Sequence, residues 1–150
     1  SVLKAKFFFQ RSKITTISDD SGLCIECLNN EPGIYSARWA KKYGGFKPAM
    51  LKIIELVKNK NKNKKKQNIK AKFICSLTIC FDLKKIVSTI GVIHGKISNK
   101  IVGKNGFGYD SIFIPKGHSQ TFGQMAKKKK MLIDHRFVAF TKLKKIFNIL

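Results

Sequence analysis

The chain has 150 residues and a formal net charge of +23, from 31 Lys and Arg against 8 Asp and Glu. Its 43% hydrophobic content excludes a wholly disordered chain, and its length suits one domain over residues 1–150. No apolar run approaches the roughly 20 residues of a membrane-spanning helix. Four cysteines are too few for a disulfide scaffold in a chain of this size, which favours a reducing cytoplasm.

The positive charge comes almost entirely from lysine. Only Arg11, Arg38 and Arg136 are arginines, although the planar guanidinium is what nucleic-acid readers use to pair with phosphate and guanine. A lysine bias together with many Ile, Asn and Phe is typical of an A/T-rich coding sequence. We therefore interpret most of the charge as solvated lysine, which argues against nucleic acid as a partner, although a basic nucleic-acid-binding protein is an alternative.

The first third of the chain predicts a helix followed by short extended segments. Residues 2–11 carry apolar side chains on one helical face, and the β-branched residues 13–18 predict a strand. The polar segment 19–22 predicts a turn that interrupts this strand. Residues 23–28 resume as a strand, and residues 29–33 form a loop ending in Pro-Gly.

The middle of the chain predicts a helix, a linker and a hairpin. Apolar spacing predicts a helix over 48–57, whereas residues 58–66 are almost wholly Lys and Asn and predict an exposed, mobile loop. Strands are predicted over 71–81 and 86–93, with a hairpin turn at 82–85.

The last third predicts a further strand and a terminal helix. We expect Gly91 and Gly95 to bend the chain, residues 111–114 to form a short strand, and residues 137–150 to form a helix. Helices and strands alternate without an internal repeat. The fold class is therefore α/β or α+β, with a largely antiparallel sheet in the middle.

The chain has only 8 carboxylates, and two adjacent ones lie in the motif Asp19-Asp20-Ser21-Gly22. On a strand, Asp19 and Asp20 point to opposite faces, whereas a turn can expose Asp20 and the Ser21 hydroxyl together. Such oxygens suit Mg²⁺ and a nearby phosphate. An Asx-type turn or a helix cap explains the same residues equally well.

A glycine-rich segment spans residues 103–110. Its three glycines allow a ligand to approach the backbone, Phe107 and Tyr109 can stack on a base, and Asp110 can orient a donor. It matches neither the P-loop pattern nor the dinucleotide fingerprint. A glycine-rich hairpin is the alternative.

A cationic cluster follows, with four lysines at 127–130 and then His135-Arg136. These side chains offer donors for phosphate or for a purine carbonyl oxygen, although a solvated basic stretch is the alternative. The four cysteines lack the histidines and the spacing of a tetrahedral metal site. We interpret them as small buried hydrophobes.

Taken together, these clusters resemble the inosine triphosphate pyrophosphatase family, in its bacterial dITP/XTP form. The motifs that carry the resemblance, in chain order, are Ser18-Asp19-Asp20-Ser21-Gly22-Leu23, Pro32-Gly33-Ile34-Tyr35-Ser36-Ala37-Arg38, Gly106-Phe107-Gly108-Tyr109-Asp110-Ser111-Ile112-Phe113, Thr121-Phe122 with Met125, and Lys130 with His135-Arg136.

The resemblance implies hydrolysis of ITP, dITP or XTP to the monophosphate and pyrophosphate, with Mg²⁺ as cofactor, in a cytoplasmic homodimer. It implies an elongated mixed sheet flanked by helices in two lobes around a central cleft. Asp20 matches the proton acceptor, which also contacts the metal. The other matches fall on substrate-binding positions: Ser21, Phe107, Gly108, Tyr109, Asp110, Lys130, His135 and Arg136.

The sequence also departs from the family pattern. In the family, a first strand, a Thr-Gly-Asn phosphate loop with a lysine and a metal-binding glutamate precede the position of Ser1. We therefore expect a domain without the family's first strand. A fragment, a truncated gene product and a decayed enzyme are open alternatives. The last would fold and bind purine nucleotides without turnover. Asp134 and Phe137 stand where the family usually has Ser and Gly, and Lys127 to Lys129 replace a commonly acidic stretch.

Overall fold

A computed structural model of the chain describes residues 1–61 and 69–147. Its centre is a five-stranded sheet in the order β2-β1-β3-β4-β5. The elements are α1 (Val2–Ser12), β1 (Thr16–Ile25), β2 (Pro32–Gly33), α2 (Ser36–Lys42), α3 (Phe46–Lys60), β3 (Lys70–Cys80), β4 (Ile86–Ile97), β5 (Phe113–Pro115), α4 (Lys127–Met131) and α5 (His135–Ile146). The α/β class is confirmed. Every pairing among the described strands is antiparallel, so this part of the sheet is not mixed.

Strand β1 runs straight through the segment for which a turn was predicted. All ten of its residues pair with β3, from Thr16 opposite Cys80 to Ile25 opposite Ala71, so the prediction of two strands separated by a turn at 19–22 was wrong. The strand requires a glycine at position 22, because the Cβ of any other residue would collide with the backbone of Gly33. Residues 26–28 then form a 3₁₀ turn rather than more strand.

The β3–β4 hairpin is confirmed, including its turn. Asp82 Oδ1 accepts hydrogen bonds from the backbone N–H groups of Lys84 and Lys85, each at 2.7 Å. Strand β4 passes through Gly91 and Gly95 without the predicted bends. Both glycines instead allow close packing, because a Cβ would collide with the backbone of α5 at Gly91 and with that of β5 at Gly95.

The helices differ from the predictions mainly at their ends. Helix α1 is confirmed, and α3 runs to Lys60, so residues 58–60 of the predicted loop are helical, although they are exposed. Asn61, the next residue of that loop, is buried, and its Nδ2 donates to the Val57 carbonyl at 2.9 Å. Residues 62–66 lie outside the described part of the chain. Helices α2 and α4, of seven and five residues, were not predicted because they are too short to show a periodic apolar face.

Helix α5 begins at His135, two residues before the predicted start. Asp134 caps it by accepting a hydrogen bond from the Phe137 backbone N–H at 2.9 Å. The last three residues of the predicted helix, 148–150, lie outside the described part of the chain. The cap therefore fixes the positions of His135 and Arg136 in the first turn of the helix.

The helices cover the two faces of the sheet unequally. Helices α3 and α5 pack on the face that carries Leu23, Phe73 and Thr89, where Thr89 Oγ1 donates to the Ala139 carbonyl at 2.9 Å. Helix α1 packs on the other face, where Thr16 Oγ1 donates to the Ala5 carbonyl at 2.8 Å.

None of the described helices is long and apolar enough to cross a bilayer. The cysteines are free, and three of them are buried.

Candidate functional site

The glycine-rich loop holds one aromatic ring out of the core. Gly106 has φ 76° and lies so close to Asp110 that a Cβ would strike its carboxylate. Asp110 Oδ2 accepts a hydrogen bond from the Phe107 backbone N–H at 2.8 Å, which fixes the loop. The Phe107 ring remains 63% exposed. The loop therefore presents a flat apolar surface to solvent.

A buried ion pair lies beneath this ring. Lys130 Nζ is 2.8 Å from Asp110 Oδ2, and both side chains are buried. The ammonium also lies 4.9 Å from the Phe107 ring centroid and 3.8 Å from Asp134 Oδ2. The three preceding lysines are exposed, as the solvated alternative expects, but Lys130 is not. One lysine of the cluster is therefore placed differently from its neighbours.

His135 is buried and neutral. Its ring stacks on Phe73 with centroids 4.8 Å apart. Burial, and then the charges of Arg136 and Lys130, lower the pKa of His135 to about 3. Arg136 Nη1 lies 3.2 Å from His135 Nε2, so the neutral ring accepts there and carries its proton on Nδ1. Nδ1 is buried and has no hydrogen-bond partner among the described residues.

Arg136 connects this cluster to β1. Its Nε donates to Asp19 Oδ2 at 2.9 Å, and its Cζ lies 5.0 Å from the Phe107 ring centroid. The sequence motifs did not assign a role to Asp19. The alternation of side chains along a strand was the signal available, because it places Asp19 and Asp20 on opposite faces.

Asp20 lies on the α1 face of the sheet, with a side chain that is 55% exposed. Lys4 Nζ donates to Asp20 Oδ1 at 2.9 Å and to the Asp19 carbonyl at 2.8 Å. Burial alone would raise the pKa of Asp20, but the hydrogen bonds from the Ser1 nitrogen and from Lys4, with the charge of Lys4, lower it overall. Asp20 is therefore ionised at neutral pH. Lys4 is a second residue that the sequence motifs did not assign.

Two of the predicted substrate-binding residues serve the loop itself. The Tyr109 side chain is buried, and its hydroxyl donates to the Ser36 carbonyl at 2.8 Å. Burial raises the pKa of Tyr109 to about 12. Its ring packs edge-on against Phe46 and is not available to stack on a base, which corrects that expectation. Gly108, with φ 64°, provides the turn between the two aromatic residues.

The structure therefore brings together five of the predicted residues in one connected cluster. They are Phe107, Asp110, Lys130, His135 and Arg136. Ser21 lies on the same sheet face, with its Oγ 3.4 Å from Asp19 Oδ2. Asp20 points away from this cluster and joins it only through the backbone of β1.

A small cavity of about 300 Å³ adjoins the cluster, between β1, β3 and α5. Asp19 and Arg136 form its polar wall, and Ile17, Leu77 and Phe140 contribute apolar surface. A larger cavity of about 570 Å³ lies at another end of the sheet, lined by lysines with His94 and His118. None of the predicted site residues lines the larger cavity. We therefore place the candidate site at the cluster around Phe107.

Comparison with known proteins agrees with this fold and these motifs. The Ham1 family pattern matches residues 1–146, and the chain belongs to the Ham1 family. This membership confirms the resemblance drawn from the ordered motifs.

The relatives are proteins named dITP/XTP pyrophosphatase. One from Zymomonas mobilis is 36% identical over 141 residues, covering 94% of this chain and 66% of the relative. One from Campylobacter jejuni is 38% identical over 157 residues, covering 100% of this chain and 75% of the relative. The solved structure of a HAM1 protein from Coxiella burnetii superposes with a TM-score of 0.88 at 28% identity, covering 99% of this chain and 75% of that one. The chain thus spans about two thirds to three quarters of their lengths.

Proposed function

We propose that this chain hydrolyses non-standard purine nucleoside triphosphates, namely ITP, dITP and XTP, to the monophosphate and pyrophosphate. This removes them from the nucleotide pool. The relatives named dITP/XTP pyrophosphatase support the reaction class. The observation that carries the proposal for this chain is the set of hydrogen-bond donors around the exposed Phe107 ring.

The cluster is rich in donors and poor in free acceptors. Lys130 and Arg136 are cationic donors, and neutral His135 carries a buried Nδ1 proton that has no partner among the described residues. The two carboxylates next to Lys130 already have donors: Asp110 accepts from Lys130 and from the Phe107 N–H, and Asp134 accepts from the Phe137 N–H and lies 3.8 Å from Lys130. A purine stacked on Phe107 would therefore meet donors at its edge.

This arrangement favours a 6-oxo purine over adenine. The oxygen at C6 of hypoxanthine or xanthine accepts hydrogen bonds, whereas the amino group of adenine is itself a donor and would be left unpaired. Sites built on such hydrogen bonds discriminate by about 10⁴-fold or more. We assign Ser21, Gly108 and Tyr109 to the same substrate, with Tyr109 acting through its backbone because its ring is buried.

Asp20 fits a metal-holding role on the phosphate side. It is an exposed, ionised carboxylate with a lowered pKa, and Mg²⁺ in nucleotide enzymes takes one or two carboxylates together with phosphate oxygens and waters. Among residues 1–61 and 69–147 no three acidic, His or Cys side chains converge, and Asp20 is the carboxylate that we assign to the metal. Bound Mg²⁺ would neutralise the triphosphate and acidify a water. Asp20 would orient that water and accept its proton, and its low pKa makes it a weak base on its own.

We propose further that residues 1–150 act as a single domain, in the cytoplasm and as a homodimer. The four free cysteines support a reducing compartment. Dimerisation rests on the family resemblance. Analytical ultracentrifugation at several protein concentrations tests it, and a species of one chain's mass at all concentrations would contradict it.

The proposed function is tested by pyrophosphate release with Mg²⁺ present. We expect kcat/KM for ITP and XTP to exceed that for ATP by at least about 100-fold, and Asp20→Asn to remove at least about 99% of the ITP activity. Asp82→Asn is the matched control, because it neutralises a carboxylate in the β3–β4 turn, away from the cluster. It should retain wild-type activity.

Two results would contradict the proposal. Equal turnover of ATP and ITP would remove the donor cluster as the source of selectivity, and activity that survives Asp20→Asn would remove Asp20 from the mechanism. Binding of ITP without turnover would instead support the alternative of an inactive nucleotide-binding chain.

A further inference from the structure

Asp19 accepts the one side-chain hydrogen bond that the described residues show between β1 and the cluster around Phe107. Its Oδ2 accepts from Arg136 Nε at 2.9 Å, across a separation of 117 residues in the chain. The two side chains are partly exposed, at 41% and 37%. Its neighbour Asp20 points to the opposite sheet face and has no contact with Arg136.

The contact constrains how Arg136 can present its guanidinium. Asp19 occupies the Nε–H group, and His135 Nε2 lies 3.2 Å from Nη1. Because the guanidinium is planar and rigid, two anchors on different nitrogens fix its plane. The Nη2 hydrogens have no partner among the described side chains, and the group lies 5.0 Å from the Phe107 ring centroid. The guanidinium, with its free Nη2 edge, is thus held over the Phe107 ring, on which a base would stack.

We propose that Asp19 is a positioning residue for purine selectivity: it orients Arg136 so that its free Nη2 edge donates to a 6-oxo purine stacked on Phe107. This rests on the proposed function, and Asp19 itself touches neither the base nor the reacting atoms. The same strand places Asp19 against the cluster around Phe107 and places Asp20, the proposed metal-holding carboxylate, on the opposite face of the sheet. A shift of β1 would therefore disturb base recognition and phosphate chemistry together.

A merely structural ion pair would behave differently. Partly exposed pairs contribute little to folding stability, because water and salt screen them. Loss of the pair would then leave both the fold and the substrate preference nearly unchanged. A positioning role predicts that stability is kept while selectivity is lost.

The first test is Asp19→Asn, assayed by pyrophosphate release from ITP and from ATP with Mg²⁺. We expect kcat/KM for ITP to fall about tenfold, mainly through KM, because the hydrogen bond that anchors Arg136 Nε keeps an amide-oxygen acceptor but loses its charge assistance in a partly solvated setting. ATP should change less than about twofold, since its amino group does not use the donor edge. Glu55→Gln is the control, because it breaks an exposed ion pair of similar length, Glu55 with Lys52 at 3.0 Å.

The second test asks whether Asp19 acts through Arg136. Arg136→Lys removes Nε and the planar fork but keeps the charge. If Asp19 acts only by holding that fork, the double variant should have the ITP-to-ATP ratio of Arg136→Lys alone. Ratios that multiply would show two independent roles and overturn the proposal, as would an ITP-to-ATP ratio that Asp19→Asn does not change.

Binding separates this inference from the proposed activity. If the chain does not turn over ITP, the proposed function fails, and isothermal titration with IMP and AMP then tests Asp19 directly. We expect IMP to bind more tightly than AMP, and Asp19→Asn to weaken IMP about tenfold and AMP much less. Equal affinities of the wild-type chain for IMP and AMP, or an IMP affinity unchanged in Asp19→Asn, would overturn the inference.

Discussion

The buried pair between Asp110 and Lys130 gives a sharp prediction, because stability and selectivity should respond to it differently. The two charges lie 2.8 Å apart with both side chains buried. Replacing Asp110 with Asn leaves a buried ammonium that has lost its main counter-charge. Replacing Lys130 with Met leaves a buried carboxylate with one N–H donor, that of Phe107.

The magnitude follows from what remains around each charge. Removing one partner of a buried ion pair destabilises a protein by about 3–5 kcal/mol. In Asp110→Asn, Lys130 still has Asp134 at 3.8 Å and the faces of Phe107 and Phe122 within 5.5 Å, so we expect the lower end, about 3 kcal/mol. At about 2–4 °C per kcal/mol for a chain of this size, the melting temperature should fall by roughly 10 °C.

The loss of stability is measured by thermal and urea unfolding of both single variants and of the double variant. The double variant, Asp110→Asn with Lys130→Met, removes both buried charges, and we expect its stability to return to within about 1–2 kcal/mol of wild type. It should not recover ITP selectivity, because the Lys130 donor is gone. Glu55→Gln, in an exposed pair, should change stability by less than about 1 kcal/mol.

The reasoning would be refuted by either of two results. Single variants that unfold within about 1 kcal/mol of wild type would show that burial does not isolate these charges from water. A double variant as unstable as the sum of the singles would show that the side chains act by packing alone. Recovery of both stability and selectivity would remove Lys130 from base recognition.

Two further predictions concern the start of helix α5. His135 is neutral in the fold, with its pKa lowered to about 3 by burial and neighbouring charge, and takes up a proton on unfolding below its ordinary value of 6.5. Stability should therefore fall as pH drops below about 6.5, with His135 accounting for about 2 kcal/mol between pH 7 and pH 5. In urea titrations the His135→Gln variant should lose about 2 kcal/mol less stability between pH 7 and pH 5 than the wild-type chain. Identical pH profiles of the two proteins would contradict this prediction. Gly91→Ala should lower stability by about 1–3 kcal/mol, because its Cβ would collide with the α5 backbone, whereas Gly117→Ala, in open space, should lose only about 1 kcal/mol from its positive φ. Equal losses at the two glycines in the same titrations would contradict the packing argument.

Long periodic elements were predictable from the sequence because their patterns repeat. Residues 71–81 and 86–93 correspond to β3 and β4, and the Asp82 turn between them is observed. The prediction of a turn within the β1 segment failed for a physical reason. Asp-Asp-Ser-Gly has turn chemistry locally, but ten cross-strand pairs with β3 outweigh it. Such tertiary pairing cannot be predicted from the local sequence of the segment alone.

The residues of the candidate site were predictable as a set of motifs, but their environments were not. Lys130 is one of four consecutive lysines, and only the structure separates it from the exposed three by burying it against Asp110. Tyr109 was expected to stack on a ligand, and its side chain instead supports the loop by bonding to Ser36. The contact of Arg136 with Asp19 depends on a 117-residue separation that no local pattern encodes.

The excess of lysine makes the position of each carboxylate informative. The chain has only 8 Asp and Glu against 31 Lys and Arg, so most cations have no acidic partner to find. Yet four of the aspartates, Asp19, Asp20, Asp110 and Asp134, carry all but one of the ion pairs seen among residues 1–61 and 69–147. Asp19, Asp110 and Asp134 hold Arg136 and Lys130 at the cluster, whereas Asp20 pairs with Lys4 on the opposite face of the sheet. The few carboxylates therefore hold particular cations in place. The net charge of +23 therefore says little about partners, and the ion pairs that hold Lys130 and Arg136 beside Phe107 say more.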